Sequence, residues 1–600
     1  MRRRIPLKSM AAISAVVILV ISACGGGDDP TATPRPTATP GVAPAPTATP
    51  VPPTLVPLPT ATARPTPTPN PTPTPTPEAQ RPLRGGILRD RLNADLRRGQ
   101  SWDAAQAGGI VQIRVIPTLF NGVLMGDELD PTVIKGDLAE TWSVSDDGLA
   151  YTFKIRDGII FNDGEPLKAS DIIWSYNRIM GVVDTGYRSH INNLFAPYIE
   201  SMDAPDDTTL VIRVKFPSLA FIQATANLFA VVYPERIGNE YLASPNNPPI
   251  GTGAFTLLDR QPDIRIRVRR NPNYFKTDEF GDQLPYLDGI DFEIIRDSNT
   301  AFAALRTGKF LQSDYLDPGI LNTNIDQFKK DFPDWVIETG FGSWREYAFR
   351  DKPPWDDVRI RRALDMLVDR PSFVAARYPG YGHSGASPML PPSLGGVYGL
   401  TDQETSTLIN TGEVTQAIKD QARELFRQAG IDYDSFVIPL LTLGLQQYDD
   451  DALLLKDSWE KAGLTVDFII PSGGPADFAV KRITGDFDIY YVPASSFGDD
   501  PDFVLGLFFP TGAGQNYGKF SDPEVDRLYM EQQREIDLTK RIAIARDLQR
   551  LILTEANWHP KIAWAGAWTA VSPRLRNYTA VCPGAYCFRS RMEIVWLAPE

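Results

Sequence analysis

Residues 138–167 read LAETWSVSDDGLAYTFKIRDGIIFNDGEPL, and the pattern within this stretch decides the fold. Apolar and polar residues alternate on either side of the SDDG segment at 145–148, whose residue types favour a tight turn. The apolar positions of this alternation are Trp142, Val144, Leu149, Tyr151, Phe153 and Ile155. The pattern predicts a β-hairpin.

The hydrophobic period changes from Lys168 onward, where apolar residues recur every three or four positions. Ser170 and Asp171 stand near the start of this segment, as is typical of a helix N-terminus. The positions that share one helical face are Ile172, Ile173, Tyr176, Ile179 and Met180. The sequence therefore predicts a hairpin followed by a helix that packs through one face.

Further motifs follow in a fixed order along the chain. They are GTG at 251–253, NPNY at 271–274, DDVR at 356–359, GDFD at 485–488 and DPEVD at 522–526. Together with residues 138–167, these segments resemble the signature of the family 5 extracellular solute-binding proteins, the oligopeptide, dipeptide and nickel receptors of ABC importers. The resemblance extends over about 500 residues.

The resemblance implies an α/β fold of the periplasmic-binding-protein type II (cluster C), with two lobes that close and an additional lobe. It implies that lobe I comprises residues 83–120, 247–345 and 558–600. Lobe II would span 121–246, and lobe III would span 346–557.

The same resemblance implies how the protein works. Two chain crossings, at 343–349 and 558–565, would act as hinges between lobes I and III. An oligopeptide-like or other small solute would bind between these lobes, and closure would be selected because the closed form contacts the solute more extensively. The implied partners are an ABC permease and its ATPase subunits, and the implied function is binding without catalysis.

The N-terminus resembles a bacterial lipoprotein signal. Basic residues at 2–4 and Lys8 precede an apolar run at 10–21, which leads into Ile-Ser-Ala-Cys at 21–24. The resemblance implies a signal peptide at 1–23, removed before Cys24, and lipidation of Cys24 that anchors the protein to the outer face of the cell membrane. The alternative is an uncleaved signal anchor with an incidental cysteine.

Residues 24–82 separate the predicted anchor from the globular part. Positions 25–80 contain 18 Pro and 14 Thr and few large apolar residues. Such a segment cannot bury enough apolar surface to fold, so we expect a disordered linker.

Charge and cysteine content limit the classes of partner. Residues 81–600 carry 54 Lys and Arg against 71 Asp and Glu, and this acidity argues against nucleic acid as a partner. Cys582 and Cys587 form a close pair near the C-terminus, for which we expect a disulfide in an oxidising exterior. The three histidines are widely spaced, so we expect no metal site and no cofactor. We expect a monomer.

Four candidate solute contacts lie in segments that the family brings to the cleft. Trp102 either approaches the solute or packs in the core. Trp344 and Tyr347 flank the first predicted hinge, where an aromatic ring either stacks on the solute or packs the junction. Arg345 either pairs with a carboxylate or is solvated.

A departure from the family pattern occurs at 495–501, which reads SSFGDDP. Peptide-binding members have an Asp four positions before this Pro, where it binds the α-amino group of the peptide, and Phe497 stands there instead. Either Asp499 or Asp500 substitutes from a neighbouring position, or Phe497 stacks on a solute without a free amino terminus. Alternatively, Asp499 and Asp500 only shape the turn before Pro501.

Two alternative functions stay open. GHSGA at 382–386 is one residue from a nucleophile elbow, so a lipid-anchored hydrolase that uses Ser384 is the alternative among enzymes. However, no apolar strand precedes this segment, and we expect no enzymatic activity. A receptor that signals to a sensor is the other alternative.

Overall fold

The computed structural model describes residues 81–96, 101–105, 110–127, 133–184, 187, 189–313, 324–495, 498–578 and 592–599. Cys24, the linker up to residue 80, Phe497 and the pair Cys582 and Cys587 lie outside the described residues. The lobe names below refer to the residue ranges predicted above.

Strands and helices are numbered along the chain. The strands are β1 (Ile87–Leu92), β2 (Leu124–Gly126), β3 (Ile134–Gly136), β4 (Ala139–Val144), β5 (Ala150–Ile155), β6 (Ile199–Asp206), β7 (Thr209–Val214), β8 (Phe255–Gln261), β9 (Arg265–Arg270), β10 (Gly289–Ile294), β11 (Gln312–Ser313), β12 (Val336–Phe349), β13 (Gly382–His383), β14 (Val437–Leu441), β15 (Thr465–Ile469), β16 (Ile489–Ser495), β17 (Lys561–Val571), β18 (Leu575–Arg576) and β19 (Trp596–Leu597). The helices are α1 (Ile110–Arg114), α2 (Ile116–Leu119), α3 (Ala169–Ile179), α4 (Ala220–Thr225), α5 (Gly238–Ala243), α6 (Ser298–Arg306), α7 (Ile325–Asp331), α8 (Val358–Met366), α9 (Arg370–Arg377), α10 (Asp402–Leu408), α11 (Gln416–Gln428), α12 (Gln446–Lys461), α13 (Gly474–Thr484), α14 (Pro501–Phe508), α15 (Pro523–Arg534) and α16 (Leu538–Thr554).

The predicted hairpin and helix are both present. Strands β4 and β5 pair antiparallel, and Trp142 lies opposite Phe153. Gly148 adopts a φ of 71° in the turn, a conformation that costs glycine little. Helix α3 begins at Ala169, where the carboxylate of Asp171 accepts a hydrogen bond from the backbone amide of Lys168 at 2.9 Å. The predicted inner face of α3 is buried at Ile172, Tyr176 and Ile179.

Two four-stranded sheets lie in the ranges assigned to lobes I and II. The lobe II sheet has the order β4-β5-β7-β6, and all of its pairs are antiparallel. The lobe I sheet has the order β1-β10-β9-β8, in which β1 runs parallel to β10. One extended apolar cluster packs residues of both lobes together.

A larger sheet contains strands from the ranges of lobes I and III. Its order is β11-β17-β12-β16-β14-β15, and β13 also pairs with β17. The two long strands β12 and β17 are antiparallel neighbours, and their register shifts between Phe341 and Ser343 and again between Arg345 and Glu346. Strand β12 pairs with β16 from Ser343 onward. The two predicted hinge segments therefore meet at adjacent positions of one sheet.

A second apolar cluster fills lobe III and reaches the junction through residues of β12 and β17, among them Trp344, Tyr347 and Trp564. Within the described residues, no helix is long and apolar enough to cross a membrane.

Candidate functional site

The junction of β12, β16 and β17 presents different side chains on its two faces, because successive residues of a strand point to opposite sides. Arg345 and Tyr347 lie on one face, where they contact helices of lobe III. Trp344 and Glu346 lie on the other face, beside Lys561 of β17.

Arg345 takes part in a buried polar cluster. Its Nε donates a hydrogen bond to Asp451 Oδ2 at 2.9 Å, and the hydroxyls of Tyr378 and Tyr491 donate to the same oxygen at 3.0 and 2.9 Å. Arg377 forms a further ion pair with Asp451. Arg345 therefore pairs with a carboxylate of the protein itself, that of Asp451. A contact between Arg345 and a solute stays a prediction.

Tyr347 is fully buried. Its hydroxyl lies 3.5 Å from Asp365 Oδ1, and its ring packs edge-on against Trp459 at 5.3 Å between centroids. In this conformation the ring packs the lobe III side of the junction, so a contact between Tyr347 and a solute stays a prediction.

The opposite face contains an aromatic and charged cluster built around Lys561. The Nζ atom lies 3.7 Å from the ring centroid of Trp344 and 4.1 Å from that of Trp564, and it donates a hydrogen bond to the carbonyl of Pro388. Burial of this ammonium lowers the pKa of Lys561 well below its usual value, against the opposing effect of Glu346. The cluster therefore holds an ammonium in an environment that disfavours its charge.

Glu346 completes this cluster. Its carboxylate accepts a hydrogen bond from Trp344 Nε1 at 2.5 Å and lies 3.3 Å from His559 Nδ1. The candidate solute contacts of the sequence did not include Lys561, Glu346 or His559. The available signal was a single lysine at the start of the otherwise apolar run 561–571, since a strand of that kind is normally buried on both faces.

Asp499 lies in the segment that joins β16 to α14. Its Oδ2 accepts a hydrogen bond from the backbone amide of Val397 at 3.0 Å. Burial raises the pKa of Asp499 to about 7, and the charge of Asp500 adds to this effect. The ammonium of Lys561 acts in the opposite direction and favours the charged form of Asp499, although among the described residues no cation lies close enough to form an ion pair with this carboxylate.

Asp500 has a different environment from Asp499. It is the N-cap of α14, and its carboxylate accepts hydrogen bonds from Arg541 at 2.6 and 2.7 Å and from the backbone amide of Asp502 at 3.0 Å. The predicted turn-shaping role is therefore filled by Asp500, whereas Asp499 forms no ion pair among the described residues and interacts with the charge of Lys561 only at longer range.

The remaining sequence candidates are distributed as follows. Trp102 is 4% exposed and packs in the apolar cluster of lobes I and II, whereas Trp344 belongs to the cluster of lobe III and the junction. Contacts of Trp102 and Trp344 with a solute stay predictions. Phe497, Cys24, Cys582 and Cys587 lie outside the described residues, so their roles also stay predictions.

In the segment 382–386, which the hydrolase alternative requires, His383 has partners other than Ser384. His383 Nδ1 accepts a hydrogen bond from the backbone amide of Gly385 at 3.0 Å, and Nε2 lies 3.3 Å from Asp402 Oδ1. Both ring nitrogens of His383 are thus occupied by groups other than the Ser384 hydroxyl. The described residues contain no group of three or more His, Cys, Asp or Glu placed to hold a metal ion.

Comparison with known proteins gives a consistent result. The model for "Bacterial extracellular solute-binding proteins, family 5 Middle" matches residues 133–516. The chain is 28% identical to di/tripeptide-binding protein 1 of Pseudomonas aeruginosa (strain UCBPP-PA14), over 72% of this chain and 81% of that protein. It is 25% identical to heme-binding protein A of Haemophilus influenzae, over 74% of this chain and 82% of that protein.

Among solved structures, the chain is similar to the binding protein AgaA from A. tumefaciens R10 in complex with agropinic acid. The TM-score is 0.71 at 22% sequence identity, and the match covers 86% of this chain and 99% of AgaA. This similarity confirms the predicted α/β fold of the periplasmic-binding-protein type.

Proposed function

The chain belongs to the bacterial extracellular solute-binding proteins of family 5, and we propose that it captures a small solute between lobes I and III and delivers it to the permease of an ABC importer. The arrangement of β12 and β17 supports this proposal, since both predicted hinges lie in paired strands of one sheet. Closure around such a junction brings two faces together on a solute without any covalent step.

Asp499 carries the proposal for the chemical class of the solute. A buried carboxylate is stable in its ionised form when a cation and hydrogen-bond donors satisfy it. Asp499 is half-buried and has one backbone donor. It forms no ion pair among the described residues, the charge of Lys561 acts on it only at longer range, and burial raises its pKa to about 7. We therefore assign to the solute a positively charged nitrogen, an ammonium or a guanidinium, that pairs with Asp499.

The solute need not be an ordinary peptide. Relatives are named for di- and tripeptides and for heme, so membership of the family leaves the solute class open. Phe497 stands where peptide-binding members have the aspartate that binds the α-amino group. We therefore propose that the cationic group of the solute is placed by Asp499, with the ring of Phe497 stacked on the solute.

The location of the receptor follows from the N-terminal sequence. Lipidation of Cys24 anchors the protein to the outer face of the cell membrane, and the Pro- and Thr-rich residues 25–80 separate the receptor from the lipid. A tethered receptor of this kind stays close to the permease that it serves.

The test uses calorimetric titration of the purified protein with a panel of small amines and guanidinium compounds, and with unmodified di- and tripeptides. We expect the tightest binding from a cationic non-peptide, and Asp499→Asn weakens that binding at least tenfold because a charge-assisted contact is lost. Asp146→Asn, in the exposed turn between β4 and β5, is the matched control and leaves affinity unchanged. Equal affinity of the Asp499→Asn variant and the unaltered protein would contradict this assignment.

A further inference from the structure

Lobe II has no role in the function proposed above, yet one of its side chains enters lobe III. Tyr198 immediately precedes β6 and is 1% exposed. Its hydroxyl donates a hydrogen bond to the carboxylate of Asp502 in α14, and Gln533 Nε2 donates to the same hydroxyl at 3.3 Å. These bonds join residues that are more than 300 positions apart in the sequence.

On the lobe III side, Tyr198 meets a fully buried polar network. Gln532 Nε2 donates to Asp502 Oδ1 at 2.5 Å, and Arg541 lies 3.6 Å from the other carboxylate oxygen while it binds Asp500 through two nitrogens. The side chains of Asp500, Asp502 and Arg541 are 0–3% exposed. Two carboxylates thus share one guanidinium, and the Tyr198 hydroxyl supplies a donor that partly satisfies the excess negative charge.

Apolar contacts extend the same interface. Phe503 packs within the apolar cluster of lobes I and II, whereas its neighbours Val504 and Leu505 belong to the cluster of lobe III. The guanidinium of Arg534 lies 5.3 Å from the ring centroid of Phe216 in lobe II. The start of α14 is therefore shared between the two lobes.

This segment also carries the residue that we assign to the solute. Asp499 directly precedes Asp500, which Arg541 and the start of α14 hold in place. The Tyr198 hydroxyl of lobe II holds Asp502 when the lobes are together. This contact therefore also limits the positions that the Asp499 carboxylate can adopt.

We propose that Tyr198 is a positioning residue for solute binding, through which lobe II holds the Asp500–Asp502 segment and thereby stabilises the closed arrangement of the lobes. The inference rests on the proposed closure of lobe III. It assigns lobe II a part in closure, because opening would separate the Tyr198 hydroxyl from Asp502 and leave the carboxylate with one donor fewer.

The experiment measures the distance between lobes II and III in the full chain without any solute. Spin labels are introduced as genetically encoded residues at Asp207 and Lys540, which are exposed in lobes II and III. Pulsed electron resonance then compares the unaltered protein with Tyr198→Phe. The matched control is Tyr151→Phe, which removes a buried hydroxyl whose partner, the carbonyl of Ser218, lies within lobe II.

We expect both a short and a long distance in the unaltered protein and in Tyr151→Phe, because lobe II stabilises part of the closed population before any solute binds. In Tyr198→Phe, the ratio of the long-distance to the short-distance population should rise about tenfold, as expected from the loss of one hydrogen bond to a charged group. Identical distributions for the two variants, or the absence of any short distance in the unaltered protein, would overturn the proposal. Since no solute is present, such a result leaves solute binding standing, and a failure of the calorimetric test leaves the part of lobe II in closure standing.

Discussion

Replacing Asp499 by Asn should stabilise the solute-free protein and weaken solute binding at the same time. Burial raises the pKa of Asp499 from 3.8 to about 7 in the folded protein. Because the folded pKa lies above the unfolded one, ionisation of Asp499 opposes folding, and the folded state loses stability as the pH rises from about 4 to about 7. The destabilisation amounts to about 2 kcal/mol at pH 5 and about 4 kcal/mol at pH 8.

An asparagine at this position has no charge to bury at any of these pH values. The free energy of unfolding of Asp499→Asn should therefore exceed that of the unaltered protein by a difference that grows from pH 5 to pH 8. Urea titrations at the two pH values measure this difference by linear extrapolation. Asp146→Asn, whose carboxylate is exposed, serves as the control and should show no such growth. A pH-independent difference for Asp499→Asn, or a loss of stability at pH 8, would refute the reasoning.

Three other changes test separate parts of the account. Cys24→Ser should move the protein from the membrane fraction to the soluble fraction, and continued dependence on detergent would contradict the lipid anchor. Arg541→Gln should lower the free energy of unfolding by about 3–5 kcal/mol in urea titrations, because it leaves Asp500 and Asp502 buried without their cation. The exposed Arg527→Gln should have little effect, and equal losses for both variants would count against this argument. Saturating solute should reduce the radius of gyration in solution scattering, whereas an unchanged scattering profile would speak against closure.

The local sequence pattern was sufficient to predict the secondary-structure elements that interactions between near neighbours in the chain determine. The hairpin at 139–155 and the helix at 169–179 follow from alternation, turn residues and a change of period. The period changes at Lys168, and the helix begins at Ala169, where the side chain of Asp171 satisfies the backbone amide of Lys168. The exact first residue of a helix can depend on a single hydrogen bond, and the hydrophobic period of the sequence does not specify that bond.

The site was less accessible to sequence reasoning, because its chemistry depends on pairs that are distant in the chain. Arg345 was a candidate solute contact, but its partner Asp451 lies 106 positions further along in α12. Lys561 went unnoticed because part of its environment, Trp344 and Pro388, comes from distant segments of the chain. Counting back from Pro501 led to Phe497, with Asp499 and Asp500 as neighbouring alternatives, and the distinction between these two aspartates required the position of Arg541.

The register of the long strands has a consequence for the evolution and engineering of this chain. Glu346 of β12 lies directly opposite Lys561 of β17, so the more than 200 residues between them, which supply β13 to β16 of the same sheet, begin and end at neighbouring points. A segment whose ends are adjacent can be excised and exchanged as a cassette without altering the path of the remaining chain. Chimeras spliced at these two positions should therefore combine residues 1–345 and 562–600 of this protein with the lobe III segment of a relative.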